Sequence, residues 1–325
     1  MPPVFIIAEL GINHNGNVSI CKEMIRSAKQ CRADAVKLQL LSPKLISADP
    51  YLIKVQEASV FNYSECMELI DYAQDIGIEL FSSIGDVESF KLFKRLKLKR
   101  VKLSSSNLNN YPLHELVAKL KLPVILSTGD ATWSEIERIV KYYNSSGIDV
   151  SIMHCISDYP TKLKDTYLNV IPYFAGKLKV PVGFSDHTEG VLTSVAAVAL
   201  GAVMIEKHFT LDKSMEGPDH QFSMNDKEFE LLVDQIRETE KMMGSAKSLF
   251  GLRSGESRLK SKVRRSIVFK EKKEAGYTIK EKDVLVARPI WHTDDEVNTY
   301  DYKMIIGKRL SKSINAFEPI SHSNF

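Results

Sequence analysis

Short apolar segments alternate with longer amphipathic segments along most of this 325-residue chain. The apolar segments are rich in Val, Ile and Leu, which is typical of buried strands. The segments between them, such as 19–31 and 133–143, carry apolar residues at the 3.6-residue spacing of a helix. The pattern predicts eight strands, over residues 4–10, 34–40, 78–84, 100–105, 123–129, 150–155, 181–187 and 203–209.

Strands that alternate with helices in this way are usually parallel and joined by helical crossovers. Eight such units within about 240 residues match the usual size of a (β/α)8 barrel, which is roughly 250 residues. An open, doubly wound sheet is the alternative architecture that the same alternation allows. We expect the barrel to occupy residues 1–244.

The character of the chain changes after the last predicted helix, at 226–244. Residues 245–263 are rich in Gly, Ser and basic side chains and have little apolar periodicity, so they are predicted to be a linker. Residues 264–325 contain short strand-like segments separated by turn residues. They are predicted to form a small second domain.

The composition is ordinary for a soluble globular protein, with 44% hydrophobic and 26% charged residues. The formal net charge of +3 is too small to favour a nucleic acid or a membrane surface as a partner. The first residues lack the charged start and long apolar run of a signal peptide or a transmembrane helix. Four cysteines are scattered without a C-x-x-C pair, which favours reduced thiols and a cytoplasmic location.

Polar side chains interrupt the apolar pattern near the carboxyl ends of most predicted strands, where barrels of this type carry their active sites. The last strand is the clearest case, because Glu206, Lys207 and His208 follow one another inside an apolar segment. Burying an unpaired charge is costly, so these side chains need partners. Because strand side chains alternate, we expect Glu206 and His208 to face the barrel interior and Lys207 to face the helices or loops.

The residue types at these strand ends indicate the kind of ligand. Lys37 and Lys102 supply positive charge and nearby serines supply hydroxyl donors, a mixture that suits a phosphate or a carboxylate. The serines are Ser83, Ser105, Ser127 and Ser185. Taken singly, each residue has an ordinary structural explanation, such as a lysine that extends to solvent or a serine in a turn. Their recurrence at one end of many strands favours a binding site.

Two histidines on adjacent predicted strands indicate a metal site. His187 and His208 could share one divalent cation through their imidazole nitrogens, with water completing the coordination shell. A pair of histidines is a weak signal by itself, and hydrogen-bonded structural histidines are the alternative. Glu9, Glu206 and Asp219 are expected nearby, and these carboxylates strengthen the metal interpretation.

Longer motifs resemble those of a known family. The segments "FIIAELGINHNG", "DAVKLQ", "PVILSTG", "VGFSDHT", "GAVMIEKHFTLDKSMEGPDHQFS" and "IIGKRLSKSI" are similar to those of the sialic acid synthases, which include N-acetylneuraminate, legionaminic acid and pseudaminic acid synthases. The resemblance covers essentially the whole chain. It implies a (β/α)8 TIM barrel followed by a small antifreeze-like β-clip domain. It also implies a transferase that condenses phosphoenolpyruvate (PEP) with the open-chain aldehyde of an N-acetylhexosamine such as N-acetylmannosamine, releasing phosphate.

The same resemblance implies roles for particular residues. His187 and His208 would hold Mn²⁺ or Mg²⁺, and either Glu206 or Glu9 would transfer the proton that the reaction requires. The catalytic group is Glu9, Lys37, Lys102 and Glu206. The positions that match the PEP site are Lys37, Ser83, Lys102, Ser105, Ser127 and Ser185. The other substrate-binding positions are Tyr159, Asp219 and Arg288.

Arg288 lies in the second domain, and its family counterpart reaches the barrel of a partner subunit, so the resemblance implies a domain-swapped homodimer. Asn107 stands where the family usually has an acidic residue, and an amide cannot transfer a proton at neutral pH. Two alternatives stay open: a PEP-dependent 3-deoxy-sugar-acid synthase that uses a different aldehyde, and a non-catalytic sugar-binding paralogue. The presence of both histidines, both lysines and Glu9 argues against the second alternative.

Overall fold

Eight parallel strands close into a barrel surrounded by helices. The structure, a computed structural model, describes residues 2–244, 255–256, 259 and 263–325. Each barrel strand pairs with the next in sequence, and the first pairs with the eighth, so the barrel prediction is confirmed and the open sheet is excluded. The strands are β1 (Phe5–Gly11), β2 (Ala35–Leu40), β3 (Glu79–Ile84), β4 (Val101–Leu103), β5 (Val124–Ser127), β6 (Val150–Cys155), β7 (Val182–Asp186) and β8 (Met204–His208).

At least one helix follows every barrel strand. Polar residues start most of these helices: before α10, for example, the Asn225 side chain accepts from the Glu228 amide while the Glu228 carboxylate accepts from the Asn225 amide. The helices are α1 (Val18–Gln30), α2 (Pro43–Ile46), α3 (Pro50–Glu57), α4 (Tyr63–Asp75), α5 (Val87–Leu96), α6 (Tyr111–Ala118), α7 (Trp133–Ser145), α8 (Val170–Leu178), α9 (Leu192–Ala199) and α10 (Asp226–Met243).

Two strands end two residues earlier than the sequence predicts. The strand expected over 100–105 ends at Leu103, because Ser105–Asn107 form a 3₁₀ turn. The strand expected over 123–129 ends at Ser127. The polar residues that follow these two strands therefore lie in loops, where their backbone can turn toward the mouth of the barrel.

The barrel interior has an apolar layer with a polar layer directly above it. The apolar side chains are Ile7, Ala35, Phe81, Ile125, Met153 and Met204. The residues two positions further along the same strands are Glu9, Lys37, Ser83, Ser127, Cys155 and Glu206. Because strand side chains alternate, both sets face inward. A larger apolar core lies between the strands and the helices and supports the barrel from outside.

The chain divides after Gly244, and a second unit follows. In that unit β9 (Ser266–Phe269) pairs with β10 (Val284–Ala287) in antiparallel register. The unit has its own apolar core, formed by Ile267, Phe269, Ile279, Val297, Ile305, Leu310, Ile314 and Ile320. The predicted linker at 245–263 lies outside the described residues except at 255–256, 259 and 263. The antifreeze-like character of the unit stays a prediction.

Among the helices that the structure describes, none combines the length and the hydropathy needed to cross a membrane.

Candidate active site

A cavity of about 770 Å³ opens at the carboxyl ends of the barrel strands. Eleven of the predicted site residues line it: Glu9, Lys37, Ser83, Lys102, Ser105, Ser127, Tyr159, Ser185, His187, Glu206 and His208. Asp219 lines an adjoining cavity of about 620 Å³, which shares Gln39, Tyr159 and His208 with the first. Arg288 is exposed in the second unit, directly after β10. The barrel therefore gathers every predicted site residue that belongs to it.

Four charged side chains form the floor of the larger cavity, and we call Glu9, Lys37, Lys102 and Glu206 the cavity-facing cluster. The Nζ atoms of Lys37 and Lys102 lie 3.0 and 2.9 Å from the two carboxylate oxygens of Glu206. Lys37 Nζ also lies 3.1 Å from Oε2 of Glu9. This contact is an ion pair, and Glu9 Oε2 has no hydrogen-bond partner among the described residues. The cluster is thus buried and close together, but incompletely partnered.

The two carboxylates of this cluster have opposite electrostatic environments. Burial raises the pKa of Glu9 to about 7, against the opposing charge of Lys37 and with support from Glu206. Burial alone would also raise the pKa of Glu206, but Lys102 and Lys37 outweigh it and hold that pKa well below the usual carboxyl range. Glu206 therefore stays ionised, while Glu9 can exchange a proton near neutral pH.

The two lysines also differ. Burial would lower the pKa of Lys37, yet Glu206 and Glu9 outweigh that effect and raise it. Burial lowers the pKa of Lys102, which has only one carboxylate at contact distance and the positive charge of Lys37 nearby. Since Lys102 is the less well compensated ammonium group, it gains most from an anionic ligand in the cavity.

His187 and His208 lie side by side at the rim of the floor, with ring centroids 5.5 Å apart. His187 Nδ1 lies 2.8 Å from the Ile156 carbonyl oxygen, which can only accept, so Nδ1 carries the proton and Nε2 keeps its lone pair. His208 Nδ1 is buried 3.7 Å from Asp219 Oδ2 and has no hydrogen-bond partner in the described part of the chain. Burial lowers the pKa of both histidines, so both rings are neutral near pH 7.

Serine hydroxyls surround the charged floor. Ser185 Oγ donates to Glu206 Oε1 at 3.1 Å, and Ser105 Oγ accepts from the Gly129 amide at 2.9 Å. A Cβ atom at Gly129 would lie 2.4 Å from Ser157 Oγ and 2.8 Å from Ser105 Oγ, so a larger residue there would displace both hydroxyls. The serines that the sequence places at separate strand ends therefore converge on one ligand-sized space.

Lys207 faces away from the cavity, as its alternation in the strand predicts. Its Nζ lies 3.0 Å from Asp186 Oδ2 and donates to the Thr188 carbonyl oxygen at 2.5 Å. Asp186 also accepts from the Thr188 amide and from the hydroxyls of Thr193 and Ser194, at 2.6–2.8 Å. We call Asp186 and Lys207 the outward-facing pair. Each member directly precedes one of the two histidines in the chain.

Several cavity residues were not among the predicted functional residues. Gln39 donates to Glu9 Oε1 at 2.7 Å, and Cys155 lines the cavity between the serines. Both could have been found from the alternation of their strands, because Gln39 lies two positions after Lys37 and Cys155 two positions after Met153. The ring centroid of Phe222 lies 5.1 Å from that of His208. Phe222 comes from an irregular loop, so no pattern in the sequence indicates it.

Fold and site together are typical of a barrel enzyme, with two lysines and two carboxylates buried at the cavity floor. A family model described as "NeuB family" matches residues 24–248. The chain is 34% identical to an N,N'-diacetyllegionaminic acid synthase of Legionella pneumophila, over 96% of this chain and 92% of that protein. It is equally identical, at 34%, to a pseudaminic acid synthase of Campylobacter jejuni, over 99% of this chain and 96% of that protein.

A solved structure supports the same assignment. The chain superposes on an N-acetylneuraminic acid (sialic acid) synthetase of Leptospira borgpetersenii with a TM-score of 0.76 and 32% identity, covering 79% of this chain and 90% of that one. The chain belongs to the NeuB family. The prediction that it is an enzyme of the sialic acid synthase kind is confirmed at the level of the family.

Proposed function

We propose that this protein condenses PEP with the open-chain aldehyde of an N-acetylhexosamine, giving a nine-carbon 2-keto acid and phosphate. One observation carries the proposal: two buried lysines converge on Glu206 at the cavity floor, next to two neutral histidines. PEP has a phosphate and a carboxylate, so it needs two concentrated sources of positive charge and several donors. Lys37, Lys102 and the surrounding serine hydroxyls supply both.

The residues at the cavity rim fit a divalent cation, Mn²⁺ or Mg²⁺. His187 keeps the Nε2 lone pair free, and His208 has a buried Nδ1 without a hydrogen bond among the described residues. No group of three or more His, Cys, Asp or Glu side chains in the described ranges has the arrangement of a metal site. The two histidines would therefore be joined by oxygen ligands from water or substrate. When bound, the cation supplies Lewis-acid polarisation of the aldehyde oxygen.

The cavity-facing cluster supplies the rest of the chemistry. The lysines hold PEP so that its methylene carbon faces the aldehyde, and a new carbon–carbon bond leaves an alkoxide and a cationic C2. Glu206 stays ionised beside C2, where its negative charge stabilises the developing positive charge. Water then adds at C2, and the tetrahedral intermediate loses phosphate with cleavage of its C–O bond.

Glu9 is the group that we assign to proton transfer. Its pKa of about 7 lets it give a proton to the new alkoxide and then recover one from the attacking water. Glu206 is held ionised by two ammonium groups and is a poor donor. Asn107 lines the cavity as an amide that accepts from Asn110 Nδ2 at 2.9 Å, so the acid expected there is not needed if Glu9 acts.

The adjoining cavity is the proposed sugar end, with Tyr159 and Asp219 as contacts. Equal identity to synthases of two different sugars leaves the hexosamine to be identified by assay. The exposure of Arg288 is consistent with a domain-swapped homodimer in which it reaches the partner's barrel. We also propose that the protein acts in the cytoplasm, since all four cysteines are free thiols.

Phosphate release from PEP tests the proposal. Purified protein with Mn²⁺ or Mg²⁺ is assayed against a panel of N-acetylhexosamines and other aldehyde sugars, and products are weighed by mass spectrometry. We expect sugar-dependent release with one N-acetylhexosamine preferred, and a product equal in mass to sugar plus pyruvate. Preference for an aldehyde without an acetamido group would support the deoxy-sugar-acid alternative. PEP binding without release would support the non-catalytic one.

A further inference from the structure

Asn13, in the loop directly after β1, links two distant parts of the active site. Its side chain is 1% exposed, and its Nδ2 atom donates to the Phe209 carbonyl oxygen and to Ser223 Oγ, both at 2.9 Å. A carbonyl oxygen can only accept, so the amino end of the amide must face Phe209. Ser223 Oγ in turn donates to the Asp219 carbonyl oxygen at 2.6 Å.

Both targets of Asn13 adjoin residues of the site. Phe209 directly follows His208, and the turn that begins at Asp219 returns to β8 through a bond from the Met224 amide to the His208 carbonyl oxygen at 2.8 Å. The contacts join residues 196 and 210 positions apart in the chain. The buried amide therefore adds a long-range contact from the β1 loop to the backbone bonds that already join the Asp219 turn to β8.

A second asparagine in the same loop provides a comparison. Asn15 Nδ2 donates to the Glu216 carbonyl oxygen at 2.9 Å, so it reaches the same β8 loop as Asn13. The Asn15 bond is exposed, whereas both Asn13 bonds are buried. Water can replace an exposed bond, but a buried acceptor that loses its donor is left unpaired. Comparing variants of the two residues therefore distinguishes positioning of Asp219 from simple attachment of the loop.

We propose that Asn13 is a positioning residue for the sugar end of the site. It acts through Ser223 and the backbone after β8 to hold Asp219 against His208, without touching either substrate. The PEP floor is built on Lys37 and Lys102, which Asn13 does not contact. Loss of Asn13 should therefore weaken sugar use and leave PEP binding intact. Only the identification of the sugar as the affected substrate rests on the proposed function.

The test compares Asn13→Ala and Ser223→Ala with the control Asn15→Gly, because glycine tolerates the positive φ of 48° at Asn15. We expect Asn13→Ala, which removes two buried hydrogen bonds, to raise the sugar KM by at least roughly tenfold, while the PEP Kd stays within about twofold. Ser223→Ala removes the bond from Asn13 and the bond to the Asp219 carbonyl oxygen but keeps the bond from Asn13 to Phe209, so it should change the sugar KM in the same direction. Asn15→Gly should change neither constant by more than about twofold.

Hydrogen exchange provides a readout that does not depend on turnover. In Asn13→Ala, peptides spanning 209–224 should exchange several-fold faster than in the wild type, and those spanning 34–40 should be unchanged. Equal effects of Asn13→Ala and Asn15→Gly would overturn the inference, as would a PEP Kd that rises together with the sugar KM. If the wild type turns over no sugar, the proposed function fails, and the exchange data still decide whether Asn13 positions the loop. If Asn13→Ala does not fold, Ser223→Ala carries the same test.

Discussion

The barrel contains two buried groups of charges that lie on opposite faces of neighbouring strands. In the outward-facing pair, Asp186 and Lys207 are 1% and 2% exposed, and the carboxylate accepts from an amide and two hydroxyls in addition to its ion pair with Lys207. The cavity-facing cluster is equally buried, yet Glu9 Oε2 has no hydrogen-bond partner in the described part of the chain. One group has its partners within the protein, whereas the other still has capacity for a ligand.

This difference distinguishes structural from functional burial of charge. A buried ion pair whose hydrogen-bonding capacity is filled fixes local geometry, and the outward-facing pair fixes the backbone on either side of His187. A buried cluster beside a cavity keeps perturbed pKa values and unfilled hydrogen-bonding capacity, which are the properties of an active site. Each group contains a buried lysine, so residue type does not distinguish Lys207 from Lys102. Only the groups that each lysine contacts do.

Removal of the metal should have the largest effect, and only on the cavity side. With chelator present, sugar-dependent phosphate release should fall to background, because the aldehyde loses its polarising cation. The thermal unfolding midpoint should change little, since the barrel core does not depend on the cation. Activity should return with added Mn²⁺ or Mg²⁺. Full activity in excess chelator would show that His187 and His208 are structural histidines.

Lys207→Met should lower the stability of the fold and leave the catalytic groups in place. The substitution keeps the aliphatic stem but leaves Asp186 buried without its cation, which should lower the free energy of unfolding by about 3–5 kcal/mol. Denaturant titration measures this loss. The double variant Asp186→Asn with Lys207→Met removes the unpaired charge and should recover part of it. A loss below about 1 kcal/mol in the single variant would mean that the pair contributes little.

Glu9→Gln should remove a pH dependence of stability. The pKa of Glu9 rises from 4.5 to about 7 on folding, so its contribution is fully present below about pH 4.5 and is lost as the pH rises through about 7. Relative to Glu9→Gln, the wild type should therefore lose unfolding free energy between about pH 5 and pH 8. The exposed carboxylate Glu238 provides the control, because Glu238→Gln should leave the profile unchanged. Parallel wild-type and Glu9→Gln profiles would contradict the assignment of Glu9 as the proton-transfer group.

Asn107→Ala should have the smallest effect. The amide accepts from Asn110 and supplies no proton, so turnover should fall by less than about tenfold, the usual range for one lost hydrogen bond. Steady-state phosphate release measures the change, with Asn110→Ala as the control for loss of the same bond. A fall of more than about a hundredfold in Asn107→Ala alone would place Asn107 in the chemistry.

Strand periodicity predicts the barrel and the residues that point into it, because both depend on alternation within one segment. The opposite orientations of Glu206 and Lys207 follow from that rule alone. The alternation rule does not predict which residues each of these side chains contacts. Lys102 and Glu206 are 104 positions apart, and their 2.9 Å contact depends on barrel closure. The Asn13 contacts depend on how two irregular loops meet, and no periodic pattern describes a loop.

Calorimetric titration of PEP into Lys102→Met and Lys207→Met tests the central claim most directly. The claim is that the cavity-facing cluster binds the anionic substrate and that the outward-facing pair only supports it. At a temperature where both variants are folded, Lys102→Met should lose measurable PEP binding, and Lys207→Met should bind PEP within about threefold of the wild type. Retention of wild-type PEP affinity by folded Lys102→Met would contradict the account.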